Sequence, residues 1–217
     1  MRKWLVCSSM TVIMLAFCGG GRSAQAAQTS TSMKMVNPCH IEQGGVFHAL
    51  AEISKKANVA IGVEAILPRE EPTIIIDFPG GTVADLLNAF AAQAPDYTWT
   101  DGGRGVIHVS RNTGRIPLLD VVMAYPGANK KTRQQIWEDV AKRPEVSAWF
   151  DSARCARGEL FQGGEFRSHN EPISIARANI TLEQLFDEVT LKSGENFWAV
   201  LQSPPSGSSC RVALILW

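Results

Sequence analysis

The 26 residues from Ile74 to Trp99 return 99 positions later as Ile173 to Trp198, and this constrains the fold more than any other feature of the chain. Ile74 becomes Ile173, Thr82 becomes Thr181, Leu86 becomes Leu185 and Trp99 becomes Trp198. One offset held over that length without a gap points to one local structure made twice.

The first copy reads as alternating short elements. Val46, Leu50, Ile53 and Ala57 recur at helical spacing, with Glu52, Lys55 and Lys56 between them, so Val46–Ala57 is expected to be a helix stopped at Asn58. Val59, Ile61 and Val63 then alternate as in a strand, and Pro68–Pro72 is a charged turn. Thr73–Asp77 is a β-branched run suited to a buried strand, broken by Pro79-Gly80-Gly81. Thr82 opens a helix with Asp85 three residues on, a variant of the capping box. Val83, Leu86, Leu87, Phe90 and Ala94 form its apolar stripe, and Pro95 ends it. Tyr97–Trp99 and Val106–Val109 flank Asp101-Gly102-Gly103, a hairpin signal.

The second copy starts at Pro144. Val146, Trp149, Phe150 and Ala153 align by the same offset with Phe47, Leu50, Ala51 and Ser54, and Leu160 aligns with Ile61. Glu171–Arg177 is the next strand. Thr181 and Gln184 cap a helix whose stripe is Leu182, Leu185, Phe186 and Val189. Asn196–Leu201 and Arg211–Trp217 form the closing hairpin around a longer loop, Gln202–Cys210. The expected fold is therefore α+β: two tandem α-β-β-α-β-β units, residues 45–110 and 144–217, each a small sheet with helices packed on one face. A unit of ~65 residues buries only a modest core alone, so duplication has a physical use. Residues 111–143 are read as a connector with one helix, Thr132–Lys142, capped by Thr132 and Gln135 and carrying Ile136, Trp137 and Val140. Residues 27–44, rich in Ser, Thr and Gln, are read as a flexible leader, with Met33–Val36 a possible edge strand.

The start has the form of an export signal. Arg2 and Lys3 precede an apolar run from Trp4 to Phe17, and Ala24-Gln25-Ala26 has the small-x-small form of a cleavage site. Residues 1–26 are expected to be removed, leaving a mature chain with no stable membrane insertion. The alternative is a lipid anchor at Cys18, although bulky Phe17 precedes it. The leader takes three bases (Arg2, Lys3, Arg22) of the 21 and none of the 21 acids, so the mature balance is 18 bases against 21 acids. That balance gives no electrostatic case for nucleic acid or an anionic membrane surface. Of five cysteines, Cys39, Cys155 and Cys210 remain, and an oxidising compartment permits one disulfide and one odd thiol. Cys155–Cys210 is the preferred pairing because both lie in the second copy; a free buried cysteine at any of the three is the other reading.

Leu50-Ala51, Asn58-Val59-Ala60-Ile61, Thr82–Leu87 and Tyr97 with Val106-Ile107-His108-Val109 stand in the order of a known pattern. On these residues the first copy resembles the secretin and TonB short N-terminal (STN) domain, over about 65 residues. The resemblance implies a location in the bacterial periplasm, where such domains sit at the front of outer-membrane secretins and TonB-dependent receptors and bind other proteins without catalysis. Two departures are visible. No pore or barrel is expected after Trp217, and the second copy has Ser152 for Ile53 and Arg157 for Asn58.

Signals for chemistry are weak. His40, His48, His108 and His169 show no metal-ligand spacing, and Cys39-His40 is merely adjacent. No Gly-x-Ser-x-Gly or Ser-x-x-Lys occurs. Ser206–Ser209 reads as a turn, Cys155 with His169 as an unsupported thiol pair, and Gly80-Gly81 as turn glycines instead of an anion cradle. Asn179-Ile180-Thr181 matches a glycosylation sequon, but Thr181 already serves as a cap. Asp77, Asp85, Asp120, Glu138 and Asp151 show no acid–base pairing. The expectation is a protein that is not an enzyme and holds no cofactor or metal. Its function would be protein interaction in the cell envelope through an open sheet edge. The alternative is capture of a small glycan or lipid in a cleft between the units. Trp99, Trp137 and Trp198 are the candidate contact residues for either reading, with core packing of Trp99 and Trp198 as the plainer explanation.

Overall fold

Helix and strand follow the residue patterns closely where the chain turns back on itself locally. The computed structural model describes residues 30–66, 72–112, 114–158, 172–203 and 210–216. The signal peptide, Cys18, His169, Leu160, Trp217 and most of the turns at 68–72 and 202–210 lie outside them. In the N-terminal half the elements are β1 (Met35–Val36), β2 (Cys39–Gly44), α1 (Val46–Ala57), β3 (Ala60–Ile66), β4 (Thr73–Phe78), β5 (Gly81–Thr82), α2 (Val83–Gln93), β6 (Tyr97–Asp101) and β7 (Val106–Arg111). The C-terminal half has β8 (Val122–Lys131), α3 (Arg133–Ala141), α4 (Pro144–Ala153), β9 (Cys155–Arg157), β10 (Ile173–Thr181), α5 (Leu182–Ser193), β11 (Phe197–Gln202) and β12 (Cys210–Leu216). The fold is mixed α+β.

Three capping boxes start helices as the sequence implies. Thr82 with Asp85, Thr132 with Gln135 and Thr181 with Gln184 each satisfy two orphan N–H groups reciprocally. The expected apolar stripes of α1, α2 and α5 are buried.

Residues 30–44, read as a flexible leader, are instead ordered structure. Cys39–Gly44 pairs antiparallel with Thr73–Phe78, and Met35–Val36 with Gly81–Thr82. Residues 111–143 likewise hold more than a helix, because Val122–Lys131 pairs antiparallel with β10. Matching bonds recur in the two halves: Val83 N–H donates to Lys34 O, and Leu182 N–H to Val121 O. Each half thus opens with a strand that covers the outer side of its helices. α1 packs between β2 and β3, and α5 between β10 and β11.

A second correction concerns the sheets. The halves share one six-stranded sheet in the order β6-β7-β3-β11-β12-β9. β3 runs parallel to β11, with Ile61 opposite Phe197 and Gly62 opposite Trp198. β7 is parallel to β3 and antiparallel to β6; β12 is parallel to β9 and antiparallel to β11. The trio β6-β7-β3 therefore recurs as β11-β12-β9 with every direction reversed. That relation is a half-turn about a line across the strands plus a shift of three strands, about 14 Å. Such a half-turn also exchanges the faces. Phe197, Ala199 and Leu201 of β11 accordingly join the N-terminal core, while Trp198 and Val200 join the C-terminal core. Helices cover both faces of the shared sheet, not one.

A third correction is in register. α1 ends at Asn58 and α4 at Arg154, both left-handed caps with φ of 49° and 52°. Counted from these caps the offset is 96, not 99, so the first strand of the second half begins at Cys155, ahead of Leu160.

Cys155 and Cys210 are register partners across β9 and β12 and form a disulfide. The sequence separation is 55. Loop-closure entropy for a ring of that size implies that Cys155→Ala with Cys210→Ala costs about 4 kcal/mol. Urea unfolding of the double variant against wild type measures this, and an unchanged midpoint would contradict it.

Candidate functional site

The sheet offers two places of interest: its joint, where β3 meets β11, and the strands that end it among the described residues, β6 and β9.

At the joint, Gly62 lies directly beneath the indole of Trp198. A Cβ on Gly62 would fall 2.3 Å from Trp198 Cε2, so only glycine fits. Trp198 Nε1 donates to Asp187 Oδ1 at 3.0 Å from α5. His108, the β7 partner of Gly62, donates from Nε2 to the same carboxylate at 3.0 and 3.1 Å. Its Nδ1 lies 3.5 Å from Glu183, which Arg115 holds at 2.8 Å while also reaching Asp120 at 2.9 Å. On the same face of β3, Glu64 accepts the Ile116 N–H. Glu64 is 5% exposed. β3 and β7 thus supply a carboxyl and an imidazole to groups from the C-terminal half.

Burial pushes Glu64 up to about 7, against the smaller opposing pulls of the Ile116 N–H and Arg115. For His108, burial works downward, but the Asp187 hydrogen bond and the charges of Asp187 and Glu183 outweigh it and raise the imidazole above its usual value. The signs agree. Between about pH 4.5 and 7 the folded state keeps a proton on Glu64 that the unfolded chain releases. The His108 contribution is complete below its unfolded value and lost as pH rises through its folded one. Stability is therefore expected to fall by about 2 kcal/mol between pH 5 and 8. Glu64→Gln should flatten much of that slope and stabilise the protein at pH 8. Urea titrations at several pH values check this; a level wild-type profile would contradict it.

Asp187 and Glu183 are occupied by His108, Trp198 and Arg115, and among the described residues no group of His, Cys, Asp or Glu is arranged to hold a metal ion. His40 pairs with Asp77 at 2.7 Å across β2 and β4, a contact the linear spacing did not reveal, and both are exposed. Burial raises the Cys39 thiol, which makes it a poor nucleophile. Two clefts, of about 500 and 340 Å³, open near Asn58 and Asn196 and are lined by both halves.

The three tryptophans do not share a site. Trp198 is a core residue, with ring centres 5.6 Å from Phe186 and 5.9 Å from His108. Trp137 leans on Phe186 at 6.2 Å. Trp99 is half-buried on β6, and its Nε1 donates to Asn88 at 3.1 Å. Neither joint cleft is lined by any of them. Trp99–Asn88 and Trp198–Asp187 are the same contact displaced by 99 positions. The difference is that β11 has β3 beside it, whereas among the described residues no strand flanks the outer side of β6. Glu64, His108 and Asp187 were missed as a group, although a lone Glu in an apolar strand and a lone Asp in an apolar helix stripe were visible signals.

Among the described residues no helix is long and apolar enough to cross a membrane. No family model matches the chain, and neither curated proteins nor solved structures include a significant match.

Proposed function

We propose that the chain is an exported, non-catalytic protein-interaction module of the bacterial cell envelope, cleaved after its signal peptide and working in the periplasm. Its two halves are read as tandem units resembling the secretin and TonB short N-terminal domain, each with an opening strand added to the α-β-β-α-β-β order. The observation that carries the reading is the sheet itself. One unit already joins the other by parallel strand addition at β3 and β11, and the equivalent edge at β6 lacks a neighbour among the described residues. Main-chain N–H and C=O groups on such an edge give affinity, and Trp99 beside it gives selectivity. Ligand capture in the joint clefts has less support, because the indoles assigned to it lie elsewhere.

Thr98 and Thr100 are exposed on β6. Lysines there blunt an edge without touching the core. Affinity capture from envelope extract is expected to retain a partner on the wild-type chain and lose it on Thr98→Lys with Thr100→Lys, at unchanged thermal stability. Equal recovery by both chains, or no recovery by either, would overturn the proposal.

A further inference from the structure

The relation between the halves does not close on itself. A half-turn combined with a three-strand shift is a heterologous operation, and its repetition extends a sheet without limit. The internal joint uses the first sheet strand of one half, β3, and the first hairpin strand of the other, β11. Their counterparts are β9 and β6, which end the six-stranded sheet among the described residues.

We propose that the chain associates head to tail with a second copy of itself, β6 of one molecule pairing in parallel with β9 of the next and reproducing the β11–β3 joint. This deepens the docking reading of the β6 edge and rests on it.

Three features match the outer ends to the inner joint. The first is a tryptophan and a glycine. Trp99 stands where Trp198 stands, and Gly158, four residues after the left-handed cap Arg154, stands where Gly62 stands after Asn58. A Cβ at Gly158 would come 2.9 Å from Val212 O, so this strand too requires a glycine there and offers no side chain against an incoming indole. The second is charge. Inside, His108, Asp187 and Glu183 surround the tryptophan. The corresponding outer positions are Ala213 beside Gly158, Asn88 bonded to Trp99, and Ala84. Around Trp99 itself, association would bury an indole and an amide where the inner joint has ions, and Arg157, which takes the place of Ile61, already holds its guanidinium on Ser147 and over the Phe150 ring. The third is rigidity. Cys155–Cys210 fastens β9 to β12, and Gly158 N–H donates to Val212 O at 2.7 Å, so the receiving edge is held before a partner arrives.

The joint also fixes a register. Phe197 opposite Ile61 translates to Thr98 of one molecule opposite Arg157 of the next. The test combines sedimentation velocity of the exported chain, up to hundreds of micromolar, with directed cross-linking in a Cys39→Ser background. Thr98→Cys and Arg157→Cys chains are mixed and oxidised, and peptide mapping locates the new bond. Concentration-dependent association is expected, weakened about tenfold or more by Trp99→Ala. The 98–157 link is expected to exceed a 100–157 link made with Thr100→Cys. A chain that stays monomeric and gives no mixed link overturns the proposal, as does association indifferent to Trp99 with links in no preferred register. If the chain stays monomeric yet loses its envelope partner on Thr98→Lys with Thr100→Lys, self-association fails while the docking reading stands. If that double variant also captures as wild type does, both fail.

Discussion

Gly62→Val is expected to destabilise the protein by about 4 kcal/mol. The built Cβ overlaps Trp198 Cε2 and Cζ2 at 2.3 Å and Nε1 at 2.8 Å, and these are rigid ring atoms in a side chain only 1% exposed. Relief requires either that the indole leave its place or that β3 and β11 separate. Overpacking of this kind costs about 1–3 kcal/mol or more. Displacing the indole adds about 1–3 kcal/mol, because Asp187 loses the Nε1 donor in a buried setting. A β-branched residue suits a strand, which offsets a fraction of the loss. The clash rests on one partner, so it is removable. Gly62→Val with Trp198→Leu should be more stable than the sum of the two single losses by about 2 kcal/mol. Urea unfolding of the four proteins closes the cycle. Additive losses would show that the indole over Gly62 is not what excludes a side chain there.

What was legible in the sequence, and what was not, follows from how far apart the interacting residues are. Local devices were readable. α1 spans the predicted Val46–Ala57, the three capping boxes form, and the preferred cysteine pair is bonded. β2 escaped notice because it covers the outside of a helix layer, so Ile41 is its one fully buried residue and His40 and Glu42 face water. The start of β9 was misplaced because Arg154 adopts a left-handed cap that sequence favours for Gly or Asn, three residues earlier than the repeat offset implies. The shared sheet escaped because β3 and β11 meet across more than a hundred residues, and such pairing leaves no periodic trace. Its one local sign was Phe197–Leu201, apolar at every position instead of alternating, as a strand buried on both faces must be. The meeting of the polar cluster behind that strand was hidden for the same reason, since Glu64, His108 and Asp187 come from three separate stretches and only their singly odd polarity showed.

That cluster carries the other large expected effect. Asp187→Ala should cost about 4 kcal/mol, because one carboxylate serves both Trp198 Nε1 and His108 Nε2, and removal orphans two donors and leaves the imidazole without its counter-charge. Asp187→Asn separates these contributions. Its amide oxygen can still accept from Trp198, so about half of the loss should remain, all of it on the His108 side. The protonation of His108 then supplies a readout that packing alone would not move. With the Asp187 hydrogen bond and charge removed, burial is left as the dominant influence, and the His108 titration should shift downward in both variants. NMR titration of the His108 ring protons measures that shift, and urea unfolding measures the stability. A variant that lost stability with His108 still titrating as in wild type would mean that Asp187 holds Trp198 alone, and that the imidazole of β7 takes no part in tying the two halves together.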